Sequence, residues 1–137
     1  MKTLSSIAII STSVFVLTTG FKIISSSQPK VWVVPDKYLK IANPVTSNAE
    51  SLEEGKDLWI KHCQSCHGKS GRGDGQKASE LKTEPGNFTL PETQKQPDGS
   101  LFYKIFEGRE DMPSFKKKIP EADDIWNVVN YVRTFKS

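Results

Sequence analysis

Apolar side chains recur every three to four positions through most of the second half of the chain, and no run of strict alternation stands out. That period belongs to helices with one buried face rather than to strands. Leu52, Gly55, Trp59, Cys63 and Cys66 fall at helical spacing behind Ser51-Leu52-Glu53-Glu54, which reads as a capping box. Gly68 is expected to end this first helix. Asp98 is placed to cap a helix over 99–107, with Leu101, Phe102, Ile105 and Phe106 on one face. Ile125, Val128, Val129, Val132 and Phe135 form the stripe of a final helix. The pattern therefore predicts an all-α fold.

The N-terminal half of the pattern differs. Nineteen uncharged residues lie between Lys2 and Lys22, among them Ile7, Ile9, Ile10 and the run 14–17. A charged start followed by an apolar stretch reads as a secretory signal. Its length also approaches the ~17–25 residues that span a bilayer, although serines and threonines dilute it. Residues 1–27 are thus a signal peptide or an N-terminal membrane anchor, with removal favoured. Pro29, Pro35 and Pro44 break any helix over 28–50, which reads as a linker or surface strap. Within it, Val31-Trp32-Val33-Val34 is too apolar to stay fully wet and is expected to pack on the domain; contact with a membrane-bound partner is the alternative. Residues 51–137 make the domain, a size at which side chains alone supply a marginal core.

Chemistry enters at Cys63-Gln64-Ser65-Cys66-His67, which holds the only two cysteines of the chain. A C-x-x-C pair followed at once by histidine is the attachment signature of a c-type haem. One helical turn separates the thiols, so both meet the same edge of the porphyrin, and the next residue lies close under the iron. The expected cofactor is one covalently bound haem c, whose iron His67 binds from one side.

The second iron ligand follows by elimination. His62 directly precedes Cys63 and cannot easily reach the far face of the ring, and Met1 belongs to the leader. Met112 remains, in Gly108-Arg109-Glu110-Asp111-Met112-Pro113; a lysine is the alternative. Paired Met/His ligation raises the reduction potential. An electron carrier, rather than an enzyme, is the reading that follows, with an open-site haem enzyme or sensor as a competitor should Met112 stay unbound.

Other chemistries fit poorly. A thioredoxin-like dithiol needs its C-x-x-C after a strand, and here it follows a helical segment. His62, Cys63, Cys66 and His67 lie too close together to wrap one tetrahedral zinc. The glycine-rich run 68–75 follows no strand and lacks the Lys-Ser/Thr ending of a phosphate loop. Net charge is +3 and falls to +1 without Lys2 and Lys22, so nothing points to nucleic acid.

The haem motif, Gly71-x-Gly73-Asp74-Gly75, Met112-Pro113-Ser114-Phe115 and the run 126–134 occur in an order that resembles the bacterial class I monohaem cytochromes c. The resemblance covers about 51–135. It implies a small fold of helices wrapped around one haem, bound by Cys63, Cys66, His67 and Met112. It also implies that Gly55 and Tyr131 meet where the first and last helices cross. Pro85 is the expected carbonyl partner of His67, while Gln76 stands where many relatives have proline. Haem attachment in this family takes place outside the cytoplasmic membrane, so a periplasmic or extracytoplasmic location is expected. The expected partners are redox proteins, above all membrane respiratory complexes. A fixed subunit of a larger respiratory or dehydrogenase complex is the main alternative to a free carrier. Lys116, Lys117 and Lys118 follow the Met112 loop and could steer an acidic partner; a solvated turn is the plainer reading.

Overall fold

The computed structural model describes residues 31–136. Helices run in the order α1 (Asp36–Leu39), α2 (Ala49–His62), α3 (Gln64–His67), α4 (Pro91–Gln94), α5 (Asp98–Glu107) and α6 (Ala122–Arg133), with a 3-10 turn at Ala78–Glu80. The described residues contain no strand; an isolated antiparallel bridge joins Arg109 and Met112. The helical period of the sequence is thus the period of the structure. The expected leader over 1–27 lies outside the described residues, and no described helix is long and apolar enough to cross a membrane.

Two helix starts differ from expectation. The cap of α2 is Asn48, whose side chain accepts from the Ser51 amide at 2.9 Å. Ser51 instead lies inside the first turn, buried, with its hydroxyl accepting from the Asn130 amide group at 2.8 Å. Asp98 is likewise the first residue of α5 and not its cap, because its carboxylate is used by Arg133. In both cases a tertiary partner takes the side chain that local geometry would have used for capping.

α2 and α6 form the frame. They touch at Gly55, where a Cβ would lie 2.1 Å from the Asn127 carbonyl oxygen and 2.9 Å from Tyr131 Cβ. This close approach lets Trp59, 1% exposed, reach the interior beside Tyr131 and Phe135. α5 packs on α6 through Phe102 and Trp126, whose rings stack at 4.3 Å. Ile125, Val128, Val129 and Val132 fill the rest of the interface and are essentially inaccessible.

Residues preceding α2 wrap this frame. Tyr38 of α1 stacks on Phe102 and touches Tyr103. Asn43 donates to Asn130 Oδ1 at 2.8 Å, while Asn130 donates to the Val45 carbonyl and to Ser51. This satisfied amide network ties strap, α2 and α6 together; removing one partner of such a set costs about 1–3 kcal/mol. The apolar run near the start of the strap is split: Val33 is 79% exposed, whereas Trp32 turns inward.

Candidate functional site

The two thiols sit at a break between helices. Cys63 ends α2 and opens α3 with φ −116°, off the helical value, although its amide still bonds the Trp59 carbonyl at 2.8 Å. The motif therefore occupies a separate turn rather than the last turn of one continuous helix. Amides at 66 and 67 return to the Cys63 carbonyl, which closes that turn. Cys63 is 7% exposed and Cys66 half-buried, and no disulfide joins them. Burial, with Cys66 as a lesser cause, pushes the Cys63 thiol up to about 12.

The glycine-rich run that follows closes over the motif. Amides of Gly73, Gly75 and Lys77 donate to the carbonyls of His67, Cys66 and Ser65 at 2.8–3.1 Å. A phosphate loop aims its amides at a ligand; this one turns them onto the protein. Gly73 holds φ +81°, and a Cβ there would meet the Pro85 carbonyl at 2.5 Å. The loop thereby presses the 85–86 segment against the histidine.

That contact corrects the expected partner of His67. Its Nδ1 lies 3.3 Å from the Gly86 carbonyl, one residue beyond Pro85, whose own carbonyl faces Gly73. A carbonyl can only accept, so Nδ1 carries the proton and Nε2 keeps its lone pair. Phe88 and Trp59 flank the ring at 4.9 and 5.8 Å. Burial holds His67 below the usual histidine value and so favours the neutral imidazole a metal needs; the Gly86 bond opposes this in part.

Met112 belongs to a tight turn. Arg109 and Met112 exchange both backbone hydrogen bonds at 2.8 and 2.9 Å, and Glu110 between them has φ +55°. Asp111 reaches away from this turn to the amides of Lys82 and Thr83 at 2.9 and 3.0 Å.

Cys63, Cys66, His67 and Met112 all line one cavity of about 310 Å³. That lies at the lower end of the ~300–1,000 Å³ typical of cofactor pockets. Trp59, Phe88, Leu101, Ile105, Phe115, Val128 and Val132 make its walls apolar. Two thiols, an imidazole with a free nitrogen and a thioether opening onto one apolar space are a donor set that fits a c-type haem. His62 also lines the cavity; its ring meets Phe115 edge-on, and its Nε2 is buried without a hydrogen-bond partner. Burial, then Lys61 and Lys118, lower its proton affinity.

Two lining cations were not singled out by the sequence, and Trp32 was expected to pack on the domain without a place at the cavity. Trp32 from the strap enters the wall, with the Arg109 guanidinium 4.6 Å and the Lys104 ammonium 5.6 Å from its ring. The apolar run 31–34 was the available signal for Trp32; nothing in the sequence pattern marked the two cations. Burial and then Arg109 hold Lys104 below the usual lysine value. The lysine cluster at 116–118 is partly offset, since Lys116 pairs with Glu107 at 2.6 Å.

Comparison with known proteins adds the family. No curated protein matches the chain. Among solved structures, a chain of the Kuenenia stuttgartiensis reducing HAO-like protein complex Kustc0457/Kustc0458 superposes with TM-score 0.62 at 24% identity, over 82% of this chain and 53% of that one. This chain thus spans about half the length of that relative. The KustC0563 c-type cytochrome matches with TM-score 0.53 at 30% identity, over 61% of this chain and 98% of that one. Cytochrome cL of the marine methylotroph Methylophaga aminisulfidivorans shares the fold, with TM-score 0.50 at 23% identity over 64% and 55% of the two chains. The family model described as cytochrome c oxidase, cbb3-type, subunit III matches residues 50–132. The chain therefore belongs to that family and has the all-α class I cytochrome c fold.

Proposed function

We propose that the chain carries one electron at a time between redox proteins on the extracytoplasmic side of a membrane. Cys63 and Cys66 hold a single haem through thioether bonds, and His67 and Met112 bind its iron. The observation that carries this reading is the convergence of these four side chains on one apolar cavity. When bound, the haem supplies a one-electron Fe(III)/Fe(II) couple.

The protein's own contribution is to hold that couple still. His67 is fixed by the Gly86 carbonyl and flanked by Phe88 and Trp59, so its ligating nitrogen cannot turn away. Met112 is held in a hydrogen-bonded turn. With both ligand positions fixed, a bound haem would need little rearrangement to change oxidation state. The apolar wall excludes water, and a neutral sulfur ligand favours the reduced state.

The leader expected at 1–27 supports export. A fixed place in a larger assembly is the second reading. It is favoured by the family, that of an oxidase subunit, and by the Kuenenia structure, which is of a protein complex. Co-purification of other haem or metal subunits from detergent extracts would select it over a free carrier.

The deciding experiment is the optical spectrum of the haem-loaded protein and of Met112→Ala. Wild type is expected to show the weak sulfur-to-iron charge-transfer band in the ferric state, and the variant to lose it. A wild type without the band that binds carbon monoxide readily would place an open site there and favour an enzyme or sensor. A band retained in Met112→Ala would remove Met112 from the iron.

A further inference from the structure

One carboxylate joins the two sides of the candidate site. Asp111 precedes Met112 and accepts from the backbone amides of Lys82 and Thr83, both through Oδ2, at 2.9 and 3.0 Å. Beside it, the Thr83 hydroxyl donates to Glu110 Oε2 at 3.1 Å. The 82–86 segment that receives these contacts lines the cavity from Thr83 onward and ends at the Gly86 carbonyl beside His67. A continuous path therefore runs from Met112 through Asp111 and Thr83 to Gly86 and His67.

The Met112 turn has a reason to need such a hold. Glu110 occupies positive φ, where a non-glycine residue is strained and persists only when its surroundings fix it. Within the turn, the two backbone bonds between Arg109 and Met112 set its shape but not its place over the cavity. Ser114 and Phe115 tie its exit to the Phe106 and Ile105 carbonyls of α5, and on the opposite side Asp111 adds two charge-assisted bonds to the Thr83–Glu110 contact.

We propose that Asp111 is a positioning residue for the iron ligand Met112, latching its turn to the segment that also orients His67. The inference rests on the ligand assignment proposed above. Asp111 acts through the turn and not on the iron itself. It holds the thioether at the cavity by keeping the turn closed, so opening the latch frees Met112 to be replaced by an outside ligand. The two proposed iron ligands are then coupled through one rim and do not vary independently.

The test uses haem-loaded wild type, Asp111→Ala and Asp111→Asn, with imidazole as the competing ligand. In Asp111→Ala the ferric sulfur-to-iron band should weaken, and imidazole affinity should rise about tenfold or more, as expected when two charged hydrogen bonds favouring the closed turn are lost. Asp111→Asn keeps one oxygen for both amides and should restore most of the band. A general loss of stability would not show this rescue by a single acceptor atom. An Asp111→Ala protein with wild-type band and imidazole affinity would overturn the proposal. If Asp111→Ala does not fold, amide hydrogen exchange in wild type serves instead. Imidazole binding should accelerate exchange at Lys82 and Thr83, and unchanged protection there would also overturn it. A wild type lacking the band would defeat the Met112 assignment itself, which separates the two failures.

Discussion

Gly55 of α2 meets the Asn127 carbonyl of α6 so closely that a Cβ would lie 2.1 Å from the oxygen. The obstacle is backbone on both sides, and Tyr131 Cβ stands 2.9 Å away. Two effects therefore oppose each other in Gly55→Ala. Helix propensity favours alanine by about 1 kcal/mol. Forcing a methyl into a packed contact costs about 1–3 kcal/mol, and more where no side chain can yield. The steric effect should win. Gly55→Ala is expected to lower the stability of the haem-loaded protein by about 2 kcal/mol, read from the denaturant midpoint. A stabilised variant would mean that α2 and α6 slide apart freely.

The Gly55 contact was legible in the sequence, and the reasons show what else was. A small residue on the apolar face of a helix is a local feature, and the family resemblance named its partner. The stripes of α5 and α6 were legible for the same reason, because burial imposes the helical period. What failed was the fate of polar side chains with more than one possible partner. Ser51 and Asp98 look like caps, yet Asn130 and Arg133 claim them from 79 and 35 residues away. His67 shows the same limit on a finer scale. The family resemblance brought Pro85 to the histidine, but the Pro85 carbonyl lies close against Gly73, and the Gly86 carbonyl is the one within reach of His67 Nδ1. At the candidate site, the thiols, His67 and Met112 could be named from spacing and elimination. Trp32 could be placed on the domain but not at this cavity, because that depends on where the strap folds back; Lys104 of α5 and Arg109 of the Met112 turn carry no local pattern that marks them.

Lys104 should tune the potential. It lines the cavity beside Arg109, and its ammonium donates to Gln96 Oε1. A cation near the iron opposes the extra positive charge of Fe(III), so protonated Lys104 raises the midpoint potential. Lys104→Met should lower it by some tens of millivolts at neutral pH, on the order expected for one charge across a partly shielded cavity. The pH dependence has a definite sign. Burial and Arg109 place the Lys104 titration below 10.5. As pH rises through that window, wild type loses the charge and its potential falls toward that of Lys104→Met. The variant should lack this wave. Redox titrations from neutral pH to 10.5 would show it, and parallel curves for the two proteins would remove Lys104 from the cofactor's field.

The lysines after Met112 offer a sharper test of docking than their number suggests. Glu107 offsets Lys116, and the Lys116 ammonium also rests over Phe106, so that residue is engaged in the protein's own surface. Lys117 and Lys118 are exposed, and Lys118 lies over the cavity residue Phe115. Steering by these two predicts that the Lys117→Glu/Lys118→Glu double variant reacts several-fold more slowly with a small anionic oxidant such as ferricyanide at low salt. The deficit should shrink near physiological ionic strength, where charges are screened beyond about 8 Å. Stopped-flow rates at two salt concentrations suffice. Equal rates for wild type and variant at low salt would make 116–118 a solvated turn. A deficit that persists unchanged at high salt would instead point to altered packing at Phe115, because a field effect must weaken with screening and a contact effect need not.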